Sequence, residues 1–343
     1  MPLLNPIPFT KLIEALLDVG TPFHPRYLNR LTDLMPEDAA LLADAWPKVS
    51  QRRRAALLED LEETHLADDL LNFEAVARIA LKDQQPAVRI RAIRILNEYE
   101  LVDLLPAFLD LSEHDPEVEV RAAATSALAT YIYKGEVEEI SPAKLKRVEQ
   151  HLLGLIENDN NTLVRRRALE ALGFSSRKEV IGLIENAYTS KDMDWVITAL
   201  RAMGRSANSQ WNLKVLKMLT HTQPGVRAEA ADAAGELEIQ DAPPMLVELL
   251  EDSDIDVRMA AIWSLSQIGG EGVRKALENQ LENTDDDEEA DQIEKALENL
   301  DFTDEMRDLA LLEIPEDGDD ENESLDDDYD ETIDDLISED EED

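Results

Sequence analysis

The sequence predicts an all-α, right-handed solenoid of stacked helix pairs followed by a disordered acidic tail. Three observations predict it. A Val-Arg…Ala…Leu pattern returns about every 31 residues along the middle of the chain. Leu and Ala are abundant while aromatic residues make up only 5%, a composition that favours helices packed on helices. Beyond residue 315 the chain changes abruptly to Asp and Glu.

The repeat is a short acidic or Pro-containing turn, then Val-Arg, Ala four residues after the Val, and Leu or Ala four later. It is clearest at Val88-Arg89 with Ala92 and Leu96, and at Val226-Arg227 with Ala230 and Ala234. It recurs at Val120-Arg121, Val164-Arg165 and Val257-Arg258. A degenerate copy puts Trp195 in the Val slot and has no Arg, and a weak last copy uses Ala296 and Leu300. Each anchor opens one helix, and an apolar-periodic segment before it supplies another, so the unit is helix–turn–helix. The 44-residue step from Val120 to Val164 carries an insertion near Tyr131–Lys144, read as a loop before a fresh helix start at Ser141-Pro142. Gly173, Gly204, Gly235 and Gly269 fall near the ends of second helices, where a left-handed residue would stop them.

With these residues the chain resembles the HEAT-repeat family, in the short bacterial form also found in phycobilin lyase-like proteins, over about residues 71–300. The resemblance implies that the repeated arginine is a structural ladder paired with acidic residues of a neighbouring repeat. That role is carried to Arg89, Arg121, Arg165, Arg227 and Arg258, with an interruption expected at Trp195. It also implies that second helices line a concave groove.

Residues 1–70 are helical but irregular, and are read as an N-terminal cap covering the end of the stack. Residues 301–315 are read as a closing segment. From 316 to 343, 18 of 28 residues are acidic and none is basic, too charged and too poor in apolar area to pack. Within it Tyr329, Ile333, Leu336 and Ile337 fall at helical spacing, a motif that a partner could order.

Composition narrows the function classes. The formal net charge is −44, a field that opposes nucleic acid and anionic lipid and favours basic partners. Without cysteine there is no disulfide, thiolate nucleophile or Cys-bound metal. No secretory leader or membrane-spanning run is read, and a cytoplasmic monomer is expected. The five histidines have no metal-ligand spacing, no Gly-rich phosphate loop or G-x-S-x-G motif occurs, and no cofactor is expected. The HEAT-like deoxyhypusine hydroxylases hold iron with repeated His-Glu pairs; no His-Glu dipeptide occurs here. Asp285, Asp287 and Glu289 are read as a solvated charge run, and Arg52–Arg54 as locally paired.

Counting from the Val anchor, positions +3, +6 and +10 share a second-helix face outside the core. They place Arg91, Arg94, Arg167, Glu170, Arg201, Arg205, Glu229, Asp232 and Trp263 along the expected groove, basic first and acidic later. The reading is a noncatalytic scaffold or adaptor holding a protein or peptide there. The acidic tail is expected to recruit a basic partner or to act as a pseudo-ligand of the groove arginines. Two alternatives stay open: a cofactor or bilin lyase-like enzyme, and a nucleic-acid-binding HEAT-like protein.

Overall fold

In the computed structural model residues 7–68 and 70–312 are described, and every regular element among them is helical. None of these helices is long and apolar enough to cross a membrane. The chain divides into a compact unit ending at Leu300 and a second beginning at Asp301. The motif Tyr329, Ile333, Leu336 and Ile337 lies outside the described residues.

Helix α1 (Phe9–Leu17) precedes eight successive pairs among the described residues. They are α2 (Pro36–Ala45) with α3 (Gln51–Ala67), α4 (Glu74–Ala80) with α5 (Pro86–Asn97), α6 (Leu105–His114) with α7 (Val118–Glu136), and α8 (Pro142–Asn158) with α9 (Thr162–Leu172). Then come α10 (Lys178–Tyr188) with α11 (Met193–Arg205), α12 (Asn212–Met218) with α13 (Pro224–Glu236), α14 (Pro243–Leu249) with α15 (Ile255–Ile268), and α16 (Val273–Asn283) with α17 (Asp287–Leu312). From α3 to α15 each second helix packs extensively on the next, while first helices touch one another sparsely. The second helices are therefore the inner layer.

The repeat pattern explains this layering. Val88, Val120, Val164, Val226 and Val257, with the Ala and the Leu or Ala that follow at four-residue steps, are all fully buried. Burying each Leu is worth roughly 1.5–3 kcal/mol, and the intervening Ala lets helix axes approach. Trp195 is half-buried, but Ala199 and Met203 after it are fully buried, so the degenerate copy keeps the register.

The repeated arginine joins two consecutive turns. Arg89 donates from Nη1 to the Asp83 carbonyl of its own turn at 2.8 Å, and from Nε and Nη2 to both carboxylate oxygens of Asp115 in the next. Asp115 in turn accepts from the Glu117 backbone N–H and so caps the turn that opens α7. Arg121 makes one such bond to Asp159 and Arg227 two to Asp252, and both acids cap the turn that follows; Arg258 makes two to Glu289, which lies inside α17 and is held by Gln280 and Thr284 side chains instead. Glu289 is thus a buried rung acid rather than part of a solvated run.

The ladder also reaches further back than the sequence pattern suggests. Arg54 of α3 lies 2.6 Å from Asp83 and donates to the Val49 carbonyl. Its neighbour Arg53 donates to the Asp18 and Thr21 carbonyls. These two are long-range clamps, not locally paired side chains. The α2–α3 pair therefore already carries a rung.

Arg165 requires a correction. Among the described residues it pairs with no acid: Ser190 occupies the slot filled elsewhere by Asp or Glu. Its terminal nitrogen donates to Thr162 Oγ1 at 3.1 Å, and its Nε is buried without a partner. One repeat later Val196 replaces the arginine and His221 replaces the acid. Ser190 and His221 still accept from the backbone N–H two residues on, so the turn cap survives where the rung is lost.

Two other expectations change. The insertion after Ala129 is helical: α7 runs on to Glu136, buries Tyr131 and Ile132, and leaves only a short turn before α8. Gly173, Gly204 and Gly235 are not left-handed stops. Gly173 is right-handed; a Cβ there would fall 2.9 Å from the Ala202 backbone, and one on Gly235 would fall 2.9 Å from Ser264 Cα. These glycines permit close approach of adjacent inner helices. The left-handed stop lies further on, at Glu100, Glu138, Ala207, Glu238 and Gly269, so glycine fills it only in the last of these.

Two outcomes are expected in urea denaturation. Ser190→Asp restores the missing rung and raises stability by on the order of 1 kcal/mol, a gain that disappears in an Arg165→Ala background. Gly235→Ala lowers stability by roughly 1–3 kcal/mol through overpacking, whereas Glu238→Gly, three residues away, raises it by about 0.5–1 kcal/mol by removing a left-handed side chain.

Candidate protein-binding face

The inner-layer stripe is built by helix periodicity and is a chain of ion pairs before it is anything else. Arg91 donates to Glu59 and Glu62 of α3 at 2.8 and 2.7 Å, and Arg94, mostly exposed, reaches Glu62 at 3.4 Å. Arg167 pairs with Glu170 at 2.6 Å. Glu170 is buried, accepts from Thr198 Oγ1, and lies 3.5 Å from Arg201. Arg201 donates to both oxygens of buried Glu229 on α13. Arg167, Glu170, Arg201 and Glu229 therefore link α9, α11 and α13, the stretch in which the rung ladder is missing.

The basic-to-acidic polarity read from the sequence is thus largely neutralised within the face. Arg205 differs. Its Nη1 donates to the Glu170 carbonyl at 3.0 Å and its guanidinium stacks 5.3 Å over Phe174, which meets Tyr133 edge-on. Among the described residues no carboxylate forms an ion pair with it, and burial pushes its cation's pKa down. At the other end Trp263 is half-buried, and Gly235 has no Cβ to meet its ring. Trp263 is therefore partly a packing residue.

Between α5 and α11 the face opens into a trough of about 550 Å³. Small residues of α7, Ala123 and Ser126, form its middle, and Arg94, Arg167 and Arg205 stand around it. Ile90, Ile93 and Leu163 supply apolar wall, and Glu98 and Glu119 sit on the rim. Predicted stripe positions from four repeats meet here; Arg91, Arg201, Glu229, Asp232 and Trp263 do not line it.

Glu59 and Glu62 are hidden in the sequence because α3 lacks the Val-Arg anchor and falls in the irregular N-terminal region. Reading Arg54 as a rung arginine places Leu57 and Leu61 in the core slots and Glu59 on the stripe. A second arrangement also escaped the sequence. Ser112 Oγ lies 2.7 Å from His151 Nε2, and Glu113 lies 3.7 Å from His151 Nδ1. It resembles a Ser-His-acid relay, but Ser112 is fully buried and donates its hydroxyl to the Leu109 carbonyl at 2.9 Å. That serine cannot meet a substrate. No three His, Asp or Glu side chains among the described residues are grouped to hold a metal ion.

The ion-pair chain has a pH signature. Burial pushes Glu229 up to about 7 against the opposing pull of Arg201, and pushes Asp232 up to about 6. Each binds a proton in the folded state at pH values where the unfolded chain has lost it, so each makes stability fall as pH rises. From about pH 4.5 to 7.5 the Glu229 contribution should decline by on the order of 2–3 kcal/mol. Thermal unfolding across that window should show a shallower decline in Glu229→Gln.

Comparison with known families agrees with this geometry. A model of the HEAT repeat matches residues 104–134, and a model of HEAT repeats matches residues 212–298. No curated protein sequence matches. Similar solved structures include YibA of Escherichia coli, at 18% identity over 83% of this chain and 98% of that one, with a TM-score of 0.40. The complex of CpcE and CpcF of phycocyanin lyase from Nostoc sp. is 18% identical over 66% and 94%, with a TM-score of 0.43. Human deoxyhypusine hydroxylase in complex with glycerol is 18% identical over 86% and 96%, with a TM-score of 0.37. The family matches fall on both sides of residues 164–205, and the helix pairing and core register run unbroken through that interval, so the chain carries HEAT repeats at 104–134 and 212–298 within one continuous series of helix pairs.

Proposed function

We propose that the chain is a noncatalytic scaffold or adaptor that holds a segment of another protein against its inner helices. The observation that carries this reading is the trough between α5 and α11. It combines apolar wall, a floor of small side chains and three arginines in one continuous concavity. Arg is among the side chains favoured as anchors in protein interfaces, and a partly desolvated site strengthens what it binds. Small side chains on α7 leave room for a backbone to lie between the flanking arginines. Other groups on the stripe, from Arg201 to Glu229, hold the helices in register rather than meet the partner.

Site-specific photo-crosslinking in the source cell tests this. A compact aliphatic diazirine residue in place of Ser126, on the trough floor and small enough to leave the trough open, should give a discrete adduct with another protein. The same residue in place of Lys146, exposed on α8, should not. Absence of an adduct at 126, or equal adducts at both positions, overturns the scaffold reading.

A further inference from the structure

We infer that the trough selects an extended segment bearing carboxylate side chains between apolar ones, although the protein as a whole is strongly acidic. This rests on the scaffold reading and specifies its partner. Arg91 is satisfied by Glu59 and Glu62, and Arg201 by Glu229 and Glu170. Around the trough the pattern differs. Arg205 has a carbonyl and an aromatic face, and although Glu236 and Glu170 act on it from beyond contact, no carboxylate among the described residues forms an ion pair with it. Arg94 is 63% exposed with one long contact to Glu62. Arg167 uses one terminal nitrogen on Glu170. Donors therefore remain on three guanidiniums that face one concavity.

The opposing groups are placed differently. Glu98 and Glu119 are exposed on the rim, where solvent and salt screen them, with a Debye length of about 8 Å at physiological ionic strength. A partner carboxylate inside the trough would meet Arg205 in a partly desolvated setting, where charge-assisted bonds are strongest. A lysine there would face guanidiniums at short range. Ile90, Ile93 and Leu163 add apolar wall beside the arginines, so alternating acidic and apolar side chains match the lining.

The two length scales give a distinctive signature. The net charge of −44 slows the approach of an acidic segment at low salt, while the trough holds it once docked. Association should therefore quicken as salt rises toward physiological strength, the reverse of ordinary complementary attraction.

The test is fluorescence anisotropy of the full chain with three labelled twelve-residue peptides, alternating leucine with glutamate, glutamine or lysine. The Glu-Leu peptide should bind at least about tenfold more tightly than the other two, a difference of ~1.4 kcal/mol. Arg94→Gln and Arg205→Gln should each weaken it several-fold, and Ser126→Trp, which fills the trough while leaving every arginine in the chain, should abolish binding. Circular dichroism melting verifies that each variant is folded. If Arg205→Gln unfolds, Arg94→Gln and Ser126→Trp decide. Tighter binding of the Lys-Leu peptide, equal binding of all three, no binding of the Glu-Leu peptide, or indifference to Ser126→Trp would each overturn the inference. Crosslinking at position 126 would still stand or fall separately, so a wrong partner chemistry is distinguishable from a wrong function.

Discussion

The structure depends on one arginine that holds two turns at once. In each rung a guanidinium donates to a carbonyl of its own turn and to a carboxylate of the next, and where that carboxylate is Asp83, Asp115, Asp159 or Asp252 it also caps the turn that follows. One acid thus satisfies a backbone N–H and fixes the spacing between neighbouring pairs. An extended apolar stack can slide, because hydrophobic contact is non-directional. The bidentate geometry of Arg with Asp supplies the direction that the core lacks. The pairs with Asp83 and Asp115 are among the most buried, where removing one partner leaves an uncompensated charge.

Where the rungs stop, a different set of charges takes over. Arg165 faces Ser190, and Val196 precedes His221, so two consecutive interfaces lack the outer clamp. On the inner side of the same helices Arg167, Glu170, Arg201 and Glu229 form a continuous chain. The stack is thus braced from the turns in most repeats and from the inner face in the middle. The inner brace is chemically different, since burial lifts the pKa of its Glu229 and of Asp232 nearby, while Arg227 holds Asp252 below its usual range.

Much of this was legible in the sequence. The anchor spacing gives the helix pairs, and the ladder role of Arg89, Arg121, Arg227 and Arg258 follows from the family pattern. What was hidden depends on groups that meet across repeats. Nothing near Arg165 in the chain shows that its partner slot holds serine; that becomes visible only when turns 25–38 residues apart are aligned. Arg54 was missed because Arg53 stands in its anchor slot in place of Val. The glycines misled because a glycine near a helix end suggests a left-handed stop, whereas here the constraint was the approach of the next helix. The stripe periodicity placed the trough residues on one face, but whether an arginine was free or already paired depended on Glu62, Glu170 and Glu229, each from another part of the stack or buried within it.

The missing rungs have a consequence for cooperativity. In a one-dimensional array each unit is stabilised only by its neighbours, and stability is a sum of unit and interface terms. The extent of concerted unfolding is then set by the weakest interface rather than by the average one. The stretch from α9 to α13 has lost two outer clamps, and its inner brace ends on Glu229, whose pKa burial pushes up. It is the stretch least braced from its turns, and the trough spans its leading edge.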